Sequence, residues 1–209
     1  MRTDLPEHPD LIVEANDTVW QGRFPLQRVR FRQRRFDGTL SGPRTWELWR
    51  RGRAAALLPY DPTSDQVVLI QQWRLPVLAA GLDPVMTEIP AGLCDGDEAP
   101  EKAIVRECRE EAGLEVRRML PIGEFVLSAG GSDETCRLYV GEVTAPAVGA
   151  DGSAGSGGLA TENEDIRVLV QPAAAAIEHA VSGGIGNSVA AIALLWLGLR
   201  RDWVRSQWT

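Results

Sequence analysis

One stretch of 23 residues, Gly92 to Leu114, constrains this chain more than any other part of its sequence: GLCDGDEAPEKAIVRECREEAGL. Pro100 stands where a helix can begin, because the first helical position does not need the N–H that proline lacks. Gly113 stands where the helix would end, since glycine adopts the left-handed conformation of a helix C-terminus. The predicted helix between them would pack down through its apolar residues, Ile104, Val105, Cys108 and Ala112.

Three carboxylates fall on one face of this predicted helix. Glu107, Glu110 and Glu111 stand at positions i, i+3 and i+4, which places their side chains side by side. Like charges at this spacing repel, and a hard cation such as Mg²⁺, which takes oxygen ligands, would relieve the repulsion. The alternative is a solvated acidic helix face, which is common in an acidic protein.

The whole stretch resembles the Nudix box, G-x5-E-x7-R-E-U-x-E-E-x-G-U, in which U is an aliphatic residue. Its fixed positions are occupied by Gly92, Glu98, Arg106, Glu107, Glu110, Glu111, Gly113 and Leu114, and Cys108 at the first U is the one soft departure. The resemblance implies a hydrolase of nucleoside diphosphates linked to another group. It implies metal ligation by the carboxylates of Glu107 and Glu111 and by the backbone carbonyl of Ala91. It also implies a supporting salt bridge between Glu98 and Arg106, with Gly92, Glu110 and Gly113 as structural positions of the box.

Composition limits the remaining classes. At 209 residues with 44% hydrophobic and 24% charged residues, the chain fits one ordinary domain with an appendage. It has no apolar run long enough to span a membrane and no apolar signal core at its N-terminus. Its three cysteines follow no disulfide or metal motif, as in a reducing compartment. We therefore predict a cytoplasmic protein without a membrane partner.

The net charge of −7 is unevenly distributed. Residues 1–53 hold 11 Lys and Arg against 7 Asp and Glu, whereas residues 54–209 hold 11 against 22. An acidic catalytic part beside a basic segment suits an anionic substrate bridged by metal ions. The overall sign disfavours non-specific nucleic-acid binding, so no nucleic-acid partner is expected.

The order of predicted elements gives the fold class. Strand patterns run from Leu11 to Trp49, with a hairpin at Asp37–Gly38. A second β block begins at Ala54, the Gly-rich run 147–160 reads as a mobile loop, and helices are predicted over 172–181 and 188–205. The last is capped by Asn187, with an apolar stripe formed by Ile192, Leu195, Trp196, Leu199 and Trp203. We predict an α+β fold: a Nudix αβα sandwich with a mixed sheet (54–209), preceded by a small antiparallel β-sheet segment (1–53).

Six further segments resemble the ADP-ribose pyrophosphatase branch of the family. They are WQGRF at 20–24, RTWE at 44–47, VVLIQQWR at 67–74, SAGGSDE at 128–134, ATENEDIRV at 160–168 and NSVAAIALLWL at 187–197. The resemblance implies cleavage of ADP-ribose to AMP and ribose 5-phosphate with Mg²⁺, for which Mn²⁺ can substitute. It also implies a homodimer in which the N-terminal sheet is exchanged onto the partner.

The resemblance assigns catalytic roles to the TENED segment. Metal held by the box would polarise the pyrophosphate and lower the pKa of bound water, and a base must then take a proton from that water. Glu162 is the implied base, and Glu164 is an added carboxylate on the metal side. The alternative is an acidic surface loop.

Binding the rest of the substrate needs an aromatic face and cations. Trp46 stands where related enzymes carry a stacking aromatic, and Phe24 is a weaker second candidate; core packing is the alternative for both. Arg51 and Arg74 are predicted to bind phosphate, unless they are ordinary surface arginines. Gly130 and Gly131 would allow backbone approach to the terminal ribose. Ala129 replaces the usual proline of the SPGG sequence, which affects the shape of the pocket more than the chemistry.

Two rival functions remain. One is the same chemistry on another nucleotide sugar such as GDP-mannose, because the two branches share SGG-like and EDI-like segments. The other is a non-catalytic Nudix sensor of nucleotide sugars. A sensor would have little reason to keep every carboxylate of the box, and this chain keeps all of them.

Overall fold

The computed structural model describes residues 4–149 and 153–208. Within them the chain forms two compact units. The first contains the residues up to Arg53 together with Phe125–Cys136, and the second contains Ala54–Glu124 and the residues from Arg137 onward.

The first unit is built on a three-stranded antiparallel sheet. Its strands are β1 (Leu11–Trp20), β2 (Leu26–Gln33) and β3 (Arg44–Trp49), in the order β1-β2-β3. Gln27, Val29 and Phe31 of β2 are buried, whereas the arginines that alternate with them pair with acidic residues of β1. Strand β2 therefore has one buried face and one charged face.

The second unit is built on an eight-stranded sheet ordered β10-β11-β5-β4-β9-β8, with β6 on β5 and β7 on β4. Its strands are β4 (Arg53–Asp61), β5 (Gln66–Trp73), β6 (Val85–Glu88), β7 (Ala91–Leu93), β8 (Arg118–Val126), β9 (Thr135–Glu142), β10 (Ser153–Gly157) and β11 (Ile166–Pro172). The helices are α1 (Leu75–Ala79), α2 (Pro100–Ala112), α3 (Ala173–Val181) and α4 (Ser188–Trp208). None of these helices is long and apolar enough to cross a membrane.

Helices cover both faces of this sheet. Val68 and Ile70 of β5 are buried in one cluster with Ile104 and Cys108 of α2. The residues that alternate with them on β5 are also fully buried and point to the other face, where α3 contacts β5 and packs on α4. The predicted α+β sandwich, with a small antiparallel sheet formed by the N-terminal segment, is confirmed.

Helix α2 has the predicted bounds. It begins at Pro100 and ends at Ala112, and Gly113 follows in the left-handed conformation with φ of 65°. The Gly113 N–H donates to the Arg109 carbonyl at 3.0 Å and the Leu114 N–H to the Cys108 carbonyl at 3.1 Å, which satisfies two of the last carbonyls of the helix. The box sequence thus folds into a strand, a turn and a capped helix.

Two predictions about other elements are wrong. The run 147–160 is not only a loop, because Ser153–Gly157 form strand β10, paired antiparallel with β11; residues 150–152 lie outside the described part of the chain.

Helix α4 is capped by Asn187 as predicted, through a 2.9 Å hydrogen bond that the Ala190 N–H donates to Asn187 Oδ1. It does not bury the predicted stripe, however, and Leu199 in that stripe is 85% exposed. The helix has two apolar arcs, and it packs on the arc with small alanines, burying Ala190, Ala193, Leu194, Leu197, Val204 and Trp208.

Candidate active site

Two box carboxylates are held against strand β7, which precedes α2. Glu111 is only 3% exposed, and its Oε2 accepts a 2.9 Å hydrogen bond from the Ala91 N–H. Glu107 lies directly over Gly92, where a Cβ would stand 1.9 Å from the Glu107 Oε1 atom. Gly92 is therefore glycine because no side chain fits beside that carboxylate.

Arg106 joins the acidic residues of the box. Its Nη1 lies 2.8 Å from Glu107 Oε1 and 3.0 Å from Glu110 Oε2, and its Nη2 lies 3.5 Å from Glu98 Oε2. The contact with Glu98 that the box implies is thus the longest of the three. One guanidinium faces three carboxylates, which lowers their mutual repulsion while no cation is bound.

Burial sets the proton affinity of these carboxyl groups. It raises the pKa of Glu111 to about 8; the Ala91 N–H opposes this rise, and the nearby carboxylates of Glu107 and Glu164 add to it. Burial also raises the pKa of Glu107, against the opposing charge of Arg106. Glu164 comes from the segment after β10, so carboxylates from two elements meet in one electrostatic field.

The segment that carries Glu162 and Glu164 is fastened to α2. The Gly158 N–H donates to the Glu110 carbonyl at 2.8 Å, and the Leu159 N–H donates to Glu164 Oε2 at 3.1 Å. A Cβ on Gly158, whose φ is +93°, would lie 2.7 Å from the Glu164 Cβ. Glu162 ends a 3-10 turn begun by Ala160 and is exposed. Its carboxylate makes no hydrogen bond or ion pair within 4–149 and 153–208.

The donor chemistry of this site fits a divalent cation. Glu107, Glu111 and Glu164 are hard oxygen donors that repel one another, and the environment penalises the charged form of a carboxylate when no cation is present. Among the described residues, no three His, Cys, Asp or Glu side chains already stand in a metal-binding group. A bound cation would therefore compete with Arg106 for Glu107.

Arg74 is the second cation of the site, and sequence reasoning missed its partner. The guanidinium binds Glu88 in a bidentate pair, with Nε at 3.0 Å from Oε1 and Nη2 at 2.8 Å from Oε2. Glu88, at the end of β6, is 5% exposed. The signal that could have found it is a single carboxylate in the otherwise uncharged segment MTEIPAG that leads into the box.

Three of the residues predicted to bind substrate border one depression of the first unit. Trp46, Gly130 and Gly131 line a volume of about 530 Å³ together with Leu26, Arg28, Thr45 and Glu47. Trp46 is 45% exposed, with the Phe31 ring edge-on at 5.5 Å and the Arg44 guanidinium 4.9 Å from its own ring centre. Neither glycine has a positive φ, and a Cβ on either would meet nothing within 4 Å. Neither backbone strain nor packing within the described chain requires glycine at these two positions.

The other two predicted substrate residues of this unit contact each other instead. Arg51 binds Glu134 through Nε at 3.2 Å and Nη2 at 3.1 Å. Its guanidinium lies 4.3 Å from the Phe24 ring centre and 4.8 Å from that of Trp49. One face of Phe24 and two of the five guanidinium N–H groups of Arg51 are therefore already occupied.

The SAGGSDE segment is fixed by Asp133, which the sequence did not single out. Asp133 Oδ1 accepts from the backbone N–H groups of Arg51 at 2.7 Å and Gly52 at 3.1 Å. The Trp49 N–H donates to the Gly131 carbonyl at 2.8 Å. These bonds hold Gly130 and Gly131 beside the end of β3, the strand that carries Trp46.

Comparison with known proteins now defines the class. The family model of the NUDIX domain matches residues 50–179, which include the α2 carboxylates, Arg74 and the TENED segment. This chain belongs to the Nudix family, as the box predicted.

Individual relatives match over nearly the whole chain. An ADP-ribose pyrophosphatase of Escherichia coli K12 is 40% identical over 95% of this chain and 93% of its own length. One of Haemophilus influenzae is 34% identical over 95% and 91%. A GDP-mannose pyrophosphatase of Salmonella arizonae is 36% identical but matches 72% of this chain and 76% of its own length. A crystal structure of an ADP compounds hydrolase has a TM-score of 0.66 over 98% of this chain and 99% of that chain, at 18% identity, and supports the fold.

Proposed function

We propose that this protein hydrolyses the pyrophosphate bond of ADP-ribose, giving AMP and ribose 5-phosphate, with Mg²⁺ as its ion and Mn²⁺ able to substitute. The observation that carries the proposal is the meeting of Glu107 and Glu111 of α2 with Glu164 beside Arg74. Such a site suits a doubly charged phosphate anhydride. The full-length match to two ADP-ribose pyrophosphatases favours ADP-ribose within that class.

Each residue has a proposed part in the reaction. Glu107, Glu111, Glu164 and the Ala91 carbonyl would hold the ion, which supplies Lewis-acid polarisation of the phosphate oxygens and a more acidic water. Glu162 takes a proton from the attacking water, a role for which its exposed carboxylate is free. Arg74 donates hydrogen bonds to a phosphate oxygen. Trp46 stacks on the base, and such stacking is worth about 1–3 kcal/mol.

The Glu111→Gln variant tests the metal assignment. It keeps the shape of the side chain and removes a charge, so kcat should fall by at least about two orders of magnitude, the scale of losing a key electrostatic group. Circular dichroism should show an unchanged fold. Turnover near the wild-type rate would contradict the assignment.

The Glu162→Gln variant tests the base. It should lower kcat far more than it raises KM, because the lost group acts only in the transition state. Glu164→Gln should also weaken the response to Mg²⁺. If both variants keep the wild-type kcat, the base lies elsewhere and Glu110 becomes the next candidate.

A substrate panel tests the nucleotide. The protein is incubated with Mg²⁺ and ADP-ribose, GDP-mannose, NADH or diadenosine polyphosphates, and the products are separated by chromatography. Release of AMP from ADP-ribose at the highest kcat/KM is expected. Preferred release of GMP would favour the second candidate, a GDP-mannose pyrophosphatase, which the shorter match to such enzymes supports. Tight binding without turnover of any nucleotide would favour a sensor.

We also propose a cytoplasmic homodimer whose N-terminal sheets are exchanged between subunits. The small three-stranded sheet supports the exchange, because a sheet of this size needs further packing, and its β1 edge exposes Ile12, Val19 and Trp20. Among the described residues, no disulfide joins Cys94, Cys108 or Cys136, which suits a reducing compartment.

A further inference from the structure

We propose that Glu88 is a positioning residue for this reaction: it holds the Arg74 guanidinium so that its remaining N–H groups serve the phosphates of the substrate. The inference rests on the proposed function and extends it to a residue outside the box and outside the TENED segment. The carboxylate acts through Arg74 and does not itself contact substrate.

The geometry fixes Arg74 at both ends. Its backbone N–H donates to the Pro84 carbonyl at 2.8 Å, directly after the β5–β6 ladder that also pairs Ile70 with Glu88. Its side chain forms two parallel bonds to the Glu88 carboxylate. Two parallel bonds set the plane of a guanidinium as well as its distance. A single bond would leave that plane free to rotate.

The remaining donors of Arg74 are available. A guanidinium carries five N–H groups, and the pair with Glu88 uses two of them. Within 4–149 and 153–208, Nη1 makes no hydrogen bond, and the Arg74 side chain is 41% exposed. The pair with Glu88 therefore leaves a rigid and accessible group of donors, which matches the geometry of phosphate oxygens.

The neighbouring charges explain why such a holder is needed. Glu88 raises the pKa of Arg74 most, and Glu111 and Glu164 raise it further, so the guanidinium faces the carboxylates proposed to hold metal. Without Glu88 the flexible side chain would be drawn to Glu111 and Glu164 as their counter-ion. It would then occupy metal ligands and be lost to the phosphate. The bidentate pair with Glu88 keeps Arg74 from becoming that counter-ion.

Substrate kinetics provide the first test. In Glu88→Gln we expect KM for the cleaved nucleotide sugar to rise at least about tenfold, which is about 1.4 kcal/mol, with a smaller change in kcat. Arg74→Met should raise KM by a similar factor, and adding Glu88→Gln to Arg74→Met should raise it no further. An equal rise from Glu88→Gln in both backgrounds, or an unchanged KM in Glu88→Gln, overturns the proposal.

The matched control is Glu115→Gln. Glu115 also forms a bidentate pair, with Arg109 at 2.9 Å for both bonds, but this pair is exposed and lies outside the proposed site. It should leave KM unchanged. If Glu88→Gln does not fold, Glu88→Asp keeps the buried charge and shortens its reach, and the same rise in KM and the same comparison with Arg74→Met apply.

A second test needs no substrate. Mn²⁺ alone is titrated into the protein, and free Mn²⁺ is measured by electron paramagnetic resonance. Glu88→Gln should weaken Mn²⁺ binding several-fold, and the double variant with Arg74→Met should regain the wild-type affinity, because the competing cation is gone. Wild-type affinity in Glu88→Gln overturns the proposal. Failure of the wild type to cleave ADP-ribose would overturn the proposed function alone, since this readout is independent of the nucleotide.

Discussion

At the scale of single residues, Glu111 offers the most direct experiment. Burial raises its pKa to about 8, so the stability of the fold depends on pH through this group. In the unfolded chain the group titrates near 4.5. The folded state therefore binds the proton more tightly, and the stabilisation present below pH 4.5 is lost as the pH rises toward 8. Each pH unit in this window costs up to about 1.4 kcal/mol.

The corresponding prediction concerns stability without divalent cations. In EDTA, the free energy of unfolding of the wild type should fall between pH 5 and pH 8, whereas Glu111→Gln should show a smaller slope and be the more stable protein at pH 8. Urea denaturation followed by fluorescence measures both. Added Mg²⁺ should raise the stability of the wild type more than that of the variant. Parallel stability curves for the two proteins would contradict the prediction.

Residue spacing explains which of these groups the sequence could predict. Glu107 and Glu111 are one helical turn apart, so a local pattern fixes their shared face. Glu88 and Arg74 are brought together only by the β5–β6 pairing, and Glu134 reaches Arg51 across 83 positions. No periodic pattern in the sequence indicates a contact between positions so far apart. The sequence accordingly predicted Arg51 and Arg74 as arginines for phosphate and missed the carboxylates that hold them.

At the scale of elements, strand β10 and helix α4 show two limits of periodicity. The strand is built from SAGSG, which lacks the alternating side chains that normally predict a strand. A close contact requires glycine at one of its positions instead, because a Cβ on Gly157 would stand 1.9 Å from the Glu111 carbonyl oxygen. Helix α4 has two arcs that each satisfy the helical period, and composition alone does not say which one packs.

Gly155 within β10 and Gly158 directly after it allow a matched prediction. Gly158→Ala would strain the backbone and displace Glu164, so we expect kcat to fall by about tenfold or more and Mn²⁺ binding to weaken. Gly155→Ala carries similar strain at φ of +115°, but a Cβ there meets nothing within 4 Å. It should lose about 1–2 kcal/mol of stability and keep kcat. Steady-state kinetics and thermal melts of both variants provide the measurement, and equal loss of kcat would show that strain alone is responsible.

At the scale of the whole molecule, the sandwich was predictable because the box specifies helix α2 and the turn before it and also identifies the family of the chain. The assignment of each binding surface to a subunit rests on the family resemblance alone. Trp46 and the two glycines meet in the first unit, and the carboxylates meet in the second. Sequence patterns describe each unit, but they contain no information on which copy of the chain supplies the base-binding surface to a given set of carboxylates.

The exchange of N-terminal sheets predicts that activity can be restored by mixing two inactive proteins. Trp46→Ala and Glu111→Gln are prepared separately, unfolded, mixed and refolded so that heterodimers form. If the Trp46 of one subunit serves the carboxylates of the other, each heterodimer contains one site with both changes and one intact site, so activity should rise well above that of either parent. If each site is built within one chain, every site keeps one change and mixing restores nothing. Refolding each variant alone is the control, and a monomer by light scattering would exclude shared sites directly.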